Sequence, residues 1–334
     1  MTRTSVFMTD KTWSDLDIEK GIFSSSGLDI DLMVSKGGTP EEICREGKDC
    51  DVLMVLFTPM GRQQLDIFTR CRALVRMGIG TNSVDLDFAG RKSIQVANVP
   101  DYCQEEVADH TLALFLELTR KVGMLDREVR KGRWEMSVAD PVPRLRNLTF
   151  ALWGCGGIGR LTGRRAAAFG MKLTGYDPFL PAETFEAHGI ARHTDLDSFL
   201  AGADVVSLHA PLTPATENMV NEKTLGRMKP SAYLLNSSRG KLIDEDALYA
   251  ALKNGSIAGA GLDVLREEPP GGVHRFCEFE NCVITPHAAW NSIDAIPELR
   301  VKAAEEAVRF LKTGRVKNLV NKDALAHHET QAVH

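Results

Sequence analysis

The run Gly154-Cys155-Gly156-Gly157-Ile158-Gly159 carries the first chemical signal in the chain. It follows an apolar strand predicted over Thr149–Trp153 and opens a helix predicted over Ile158–Phe169, the setting in which GxGxxG binds a dinucleotide. Gly154 allows the tight turn, Gly156 lets a pyrophosphate approach the backbone, and Gly159 permits close packing of helix on strand. Gly157 belongs to the turn and Ile158 begins the helix, whose unpaired N–H groups then face the phosphates. A second predicted strand ends at Asp177, 18 residues past Gly159. A carboxylate there accepts from an adenosine ribose 2′-OH and repels a 2′-phosphate, so NAD is the expected cofactor. The glycine pattern alone is weak, because a similar turn can occur in an unrelated α/β protein. The strand, the helix and the acid around it carry the reading.

Three further residues stand just past predicted strands. Arg239 follows Ala232–Asn236, Glu268 follows Ile257–Leu262 and His287 follows Val283–Thr285. An open α/β sheet presents its crevice at the carboxyl ends of its strands, so the three can converge although 48 residues separate the first from the last. Taken singly, the histidine could be a core residue with a backbone partner and the arginine a surface charge.

The elements that must position these residues are α/β throughout. Ser5–Asp10, Asp29–Val34, Asp51–Phe57, Leu74–Gly78 and Ile94–Asn98 read as strands, with helices at Pro40–Lys48, capped by Thr39, and Gly61–Cys71. Gln104–Met124 reads as one long helix and Arg130–Asn147, with Pro141 and Pro143, as a surface loop. Lys172–Tyr176 and Asp204–Leu208 complete the strands, Pro297–Thr313 is a last helix, and Ala324–His334 reads as a ragged tail. Several strands are apolar without clean alternation, as in a parallel sheet covered on both faces.

At 334 residues the chain has room for about two domains, and its 43% hydrophobic content suffices for their cores. A formal charge of −5 gives no electrostatic case for nucleic-acid binding. The sequence shows no membrane span and no signal peptide. Seven dispersed cysteines without a CxxC pair suit buried thiols in a reducing compartment, so the cytoplasm is the expected location. No cluster has metal-ligand spacing, and no metal is expected.

The glycine turn together with Asn236-Ser237-Ser238-Arg239-Gly240, Leu262-Asp263-Val264-Leu265-Arg266-Glu267-Glu268-Pro269, Thr285-Pro286-His287-Ala288-Ala289-Trp290 and Arg76-Met77-Gly78-Ile79-Gly80 closely resembles the D-isomer-specific 2-hydroxyacid dehydrogenase family. The resemblance covers nearly the whole chain. It implies two Rossmann-like doubly wound domains: a dinucleotide domain at 103–296, inserted into a flavodoxin-like substrate domain made of 1–102 and 297–334, with the active site in the cleft. It implies that Arg239 holds a 2-oxo acid, that His287 is the acid–base, and that Glu268 is the carboxylate beside it. The backbone around Met77, Gly78 and Ile79 would hold the substrate carboxylate. His209, Ala210, Pro211 and Thr216 resemble the adenine-side loop, Ser237 and Ser238 the cofactor-contacting run, and Asp263 the residue that receives the nicotinamide carboxamide.

Three positions depart from the family pattern. Asn82-Ser83 replaces its Asp-Asn pair, and Ser238 replaces its usual alanine. Arg76 and Trp290 resemble the branch of C-terminal-binding-protein corepressors and their bacterial relatives, in which a second arginine and a tryptophan line the substrate side. The resemblance also implies a homodimer formed through the dinucleotide domains, with Trp134 and Met136 covered by the neighbour. The leading expectation is thus an NAD-dependent enzyme acting reversibly on a 2-oxo or 2-hydroxy acid. The alternatives are an NAD(H)-sensing corepressor-like scaffold and oxidation of another small anion such as phosphite. Formate is disfavoured, because formate dehydrogenases of this superfamily have Gln where Glu268 stands.

Overall fold

The computed structural model describes residues 3–331. The chain divides into two compact units, one reaching to Tyr102 and resuming at Ser292, the other spanning Cys103–Asn291. The return to the first unit falls at Ser292, a little ahead of the 297 expected from the sequence.

The first unit holds five parallel strands: β1 (Thr4–Met8), β2 (Ile30–Val34), β3 (Val52–Val55), β4 (Ala73–Arg76) and β5 (Gln95–Asn98). Their order is β2-β1-β3-β4-β5, the flavodoxin-like arrangement. Central β3 is Val-Leu-Met-Val with every residue buried, whereas edge strand β2 is only half-buried along its length. The helix Pro40–Glu46 begins where the sequence predicts: Thr39 accepts from the Glu42 amide while the Glu42 carboxylate returns to the Thr39 amide. The expected tail departs from its reading, because Lys322–Gln331 is helical. Asn321 explains this: it is buried, accepts from the Val96 amide at 2.9 Å and donates to the Ile94 carbonyl at 2.9 Å. The chain then passes so close to Gly90 that a side chain there would meet Ala324. His334 lies outside the described residues.

The second unit holds seven parallel strands: β6 (Thr149–Trp153), β7 (Lys172–Tyr176), β8 (Ala191–His193), β9 (Val205–Leu208), β10 (Tyr233–Asn236), β11 (Gly259–Leu262) and β12 (Cys282–Ile284). They run in the order β12-β11-β10-β9-β6-β7-β8, a doubly wound sheet whose order reverses between β6 and β9. The sequence reading missed β8, a three-residue edge strand with too little apolar content to announce itself.

The long helix expected over 104–124 ends at Arg120, and a second runs Val122–Arg130. Lys121 between them is left-handed, and the Glu117 carboxylate accepts from the Gly123 amide at 3.0 Å, so one helix supplies the other's first partner. Gln104–Arg120 lies against the sheet because β11 carries glycine at 259 and 261. A side chain at either would crowd Leu118 or Leu114 of the helix. Phe115 locks the same face, with its ring edge-on to Phe150 at 5.7 Å.

Candidate active site

The glycine turn has the geometry its spacing implies. Gly154 is at φ +97°, and a Cβ on it would lie 2.6 Å from the His209 backbone, so no other residue fits this corner. A Cβ on Gly159 would lie 2.4 Å from the Gly154 carbonyl oxygen, which is the close helix-on-strand approach. Gly156 differs: no atom lies within 4 Å of where its side chain would be. The helix Gly157–Ala168 starts there without a side-chain cap, leaving its first amides for an incoming anion. Asp177, at the end of β7, accepts from the Cys155 amide at 3.0 Å through one oxygen and from the Phe179 amide at 3.0 Å through the other. The acid thereby braces the turn it serves, and each oxygen retains capacity for a ribose hydroxyl.

Across the switch point, Nε2 of His209 lies 2.8 Å from the Ser207 hydroxyl, while its buried Nδ1 has no hydrogen-bond partner among the described residues. Burial pushes this imidazole down to about 3, so it is neutral at ordinary pH. Thr216 accepts from the Thr213 amide and donates to the Pro211 carbonyl at 2.6 Å, which ties the loop that follows His209 and Ala210 into one piece. An open cradle over Gly156, a bare helix start and a strand-end acid are what a dinucleotide requires, and these residues fit NAD.

The three polar residues past β10, β11 and β12 come together within this unit. Glu268 joins them: its Oε2 lies 2.6 Å from His287 Nδ1, its Oε1 accepts from the Leu265 amide at 2.7 Å, and the Arg239 charge acts on it. Burial raises the Glu268 carboxyl, but His287, the Leu265 amide and Arg239 outweigh it, and the net shift is downward. Arg239 is aimed by its own loop. Asn236, fully buried, donates to the Arg239 carbonyl at 2.8 Å and accepts from the Ser238 amide at 3.0 Å. The Ser238 hydroxyl, where the family has alanine, donates to the Leu208 carbonyl at 2.7 Å. Gly240 completes the loop: a Cβ on it would lie 1.9 Å from the Leu265 carbonyl, so the Arg239 and Glu268 loops touch through backbone.

His287 itself is left-handed at φ +50°, a conformation costing a non-glycine residue about 1–2 kcal/mol. Its amide is shared between the Asp263 and Thr285 carbonyls, at 2.8 and 3.0 Å. Asp263, 2% exposed, builds the rest of this turn: one oxygen accepts from the Thr285 hydroxyl at 2.6 Å and the Ala288 amide at 2.8 Å, the other from the Ala289 amide at 3.0 Å. The half-buried Trp290 follows directly.

Two residues that the sequence reading passed over support these loops from the helix Gln104–Arg120. Nε2 of His110 lies 2.9 Å from the Thr285 hydroxyl. That hydroxyl gives its one proton to Asp263, so Nε2 of His110 is the donor to it. The next residue, Thr111, lies 2.6 Å from the Ser237 hydroxyl. Neither residue belongs to a motif, and no spacing in the sequence connects 110 to 285.

In the first unit, Arg76 ends β4 and its Nη1 donates to the Met77 carbonyl at 2.6 Å. The guanidinium lies where Gly78, at φ +147°, has no side chain. The Met77 amide donates to the Val55 carbonyl at 2.7 Å, and Asn98 donates to the Ile79 carbonyl at 2.7 Å, so this loop is held from two neighbouring strands. Ser83, in the pair that departs from the family, accepts from the Met60 amide through its carbonyl at 2.7 Å. Among the described residues no cluster of three metal-ligating side chains occurs, and no helix is long and apolar enough to cross a membrane.

Comparison with known proteins agrees with this geometry. Residues 112–289 match the family model described as D-isomer specific 2-hydroxyacid dehydrogenase, NAD binding domain. The chain is 37% identical over 304 residues to a glyoxylate reductase of Korarchaeum cryptofilum, covering 89% of this chain and 91% of that one. It is 34% identical over 292 residues to a D-3-phosphoglycerate dehydrogenase of Methanocaldococcus jannaschii, covering 87% of this chain but 55% of that one, so it spans about half of that relative. A solved acyclic imino acid reductase in complex with NADPH and D-Arg superposes with a TM-score of 0.85 at 28% identity, over 95% of this chain and all of that one. The chain belongs to the D-isomer specific 2-hydroxyacid dehydrogenases, and within that family it is an NAD-dependent enzyme that moves hydride reversibly between NAD(H) and a 2-oxo or 2-hydroxy acid.

Proposed function

We propose that the protein reduces a small 2-oxo acid, with Arg239, Glu268 and His287 as its catalytic residues. The 2.6 Å contact of His287 with Glu268 carries the assignment. Bound NADH supplies hydride to the carbonyl carbon. Glu268 occupies Nδ1 of His287, so the proton for the developing alkoxide comes from Nε2. The same contact fixes the orientation of the ring. Arg239 gives charge-assisted bonds to the acid's oxygens. Arg76, the amides of Met77, Gly78 and Ile79, and the Trp290 indole complete the substrate contacts by the same resemblance. Asp263 retains acceptor capacity on the oxygen that binds only the Ala289 amide, and takes the nicotinamide carboxamide there.

Asp177 gives NADH the advantage over NADPH, and His209, Ala210, Pro211, Thr216, Ser237 and Ser238 line the remainder of the cofactor site. Homodimerisation through the arm after Val122–Arg130 accounts for Trp134 at 90% and Met136 at 86% exposure. The domain division at about residue 102 and near 292–297 and a cytoplasmic location complete the reading, the latter supported by seven free cysteines, five of them buried.

A panel containing glyoxylate, hydroxypyruvate and pyruvate, assayed with NADH and NADPH by coenzyme absorbance, tests the proposal. The expected result is turnover of at least one acid, with kcat/KM for NADH at least about tenfold above that for NADPH. Equal use of both coenzymes overturns the role of Asp177. Turnover only when an amine accompanies the oxo acid overturns the reaction in favour of imino acid reduction.

A further inference from the structure

We propose that Asp10 is a positioning residue for substrate selectivity, holding the Leu56–Thr58 loop so that Phe57 meets the side chain of the bound acid. The inference rests on the function proposed above and names a determinant that no sequence motif marks. Asp10 lies just beyond β1 and Leu56–Thr58 just beyond β3, and β1 and β3 are neighbours in the sheet of the first unit. Both therefore stand at the carboxyl edge, where open α/β sheets receive ligands.

The Asp10 carboxylate takes four hydrogen bonds. Oδ1 accepts from the Leu56 amide at 3.1 Å, the Thr58 hydroxyl at 3.1 Å and the Thr9 hydroxyl at 2.5 Å, and Oδ2 accepts from the Phe57 amide at 2.6 Å. Three donors fill Oδ1 and the Phe57 amide takes one site on Oδ2, so every hydrogen bond of this carboxylate goes to its own neighbours and to the loop. Its role is to fix backbone. Leu56 and Thr58 are buried, while Phe57 between them is 52% exposed, an aromatic ring held outward by an anchored peptide. The far end of the loop is pinned separately, where the Met60 amide donates to the Ser83 carbonyl at 2.7 Å and the Met60 carbonyl accepts from Asp85 at 2.8 Å. Asp10 is thus the pin of the near end. One residue upstream, the Val55 carbonyl receives the Met77 amide at 2.7 Å, so the same backbone borders the loop assigned to the substrate carboxylate.

Asp10→Asn tests this almost isosterically. In either orientation the new amide group directs N–H toward a backbone N–H, that of Phe57 or that of Leu56, and the loop loses one end of its clamp. The readout is the ratio of kcat/KM for phenylpyruvate to that for glyoxylate, compared across wild type, Asp10→Asn, Phe57→Ala and the double variant. The expected result is a change in the ratio of about tenfold in Asp10→Asn, in the same direction as in Phe57→Ala. It should arise in KM, with kcat for glyoxylate and NADH affinity close to wild type. The double variant should show little beyond Phe57→Ala, because Asp10 acts through that ring.

An unchanged ratio, effects that multiply in the double variant, or an equal fall for both acids with a lowered Tm overturns the assignment. If Asp10→Asn does not fold, Thr58→Val decides, since it removes one of the four donors at constant shape. A smaller shift in the same direction supports the proposal, and a wild-type ratio overturns it. A wild type that reduces no 2-oxo acid overturns the proposed function and this inference with it, whereas an active wild type with an unchanged Asp10→Asn ratio overturns the inference alone.

Discussion

His287 and His209 each stand past a strand of the same sheet, each before an alanine, and each with one ring nitrogen at a hydrogen-bond distance from a side chain. Their surroundings separate them. His287 pairs with a carboxylate, and its side chain is 41% exposed, so a proton on it meets both an anion and water. His209 pairs with a hydroxyl and is pushed down to about 3 by burial. A hydroxyl offers a lone pair but no charge, and cannot offset the desolvation of an imidazolium. A histidine's chemistry is set by what can bear its second proton, and a motif of neighbouring residues does not encode that.

The comparison breaks most visibly at His287. Replacement by Ala should lower kcat for reduction by roughly 10²–10⁴ with NADH affinity little changed. Single-turnover kinetics and a coenzyme titration measure the two halves, and near-wild-type turnover would remove His287 from the mechanism.

Glu268→Gln sharpens the contrast by making the partner of His287 neutral, as the partner of His209 already is. Loss of one charge-assisted bond should cost about tenfold in kcat/KM at neutral pH. The pH dependence of reduction should change, since the carboxylate that contacts His287 at 2.6 Å and is held low by it and by Arg239 is replaced by a neutral amide. A profile superimposable on wild type would dissolve the pair.

The smallest effect belongs to His209, and it concerns stability rather than rate. Its folded value of about 3 lies below the ordinary 6.5, so the unfolded chain binds a proton that the folded chain refuses. Its contribution is present above pH 6.5 and is lost as pH falls from there toward 3, amounting to about 2 kcal/mol between pH 7 and pH 5. Urea unfolding across that range should show a shallower decline for His209→Gln, whatever its absolute stability, with the pH profile of kcat unmoved. Parallel declines would mean that the ring is not sealed in solution.

What was legible in the sequence follows the range of the interactions involved. The glycine turn and Asp177 lie within one strand–helix–strand unit, so local spacing carries their geometry. Strands that are mostly apolar and buried at every position, such as β3 and β9, announce themselves because both faces are covered. The Lys121 break was hidden, since apolar periodicity continues through it and only the Glu117 carboxylate marks the second helix start. The helix Lys322–Gln331 was hidden too, because Asn321 and Gly90, which seat it, lie far from it or look unremarkable alone. His110 and Asp10 were missed for the same reason: their partners are 175 and about 46 residues away, and a lone polar residue has no pattern until its partner is in place.

Gly240 bears on how such a chain can change by inheritance. Its missing side chain leaves the space that the Leu265 backbone fills, so the Arg239 and Glu268 loops are shaped against each other. A recombinant gene with a crossover between codons 240 and 265 joins one parent's first loop to the other's second. Such hybrids should survive only where both parents keep glycine at the first position and the same backbone path at the second. In a shuffled library selected for activity, the two segments should be inherited together more often than their separation along the chain would give.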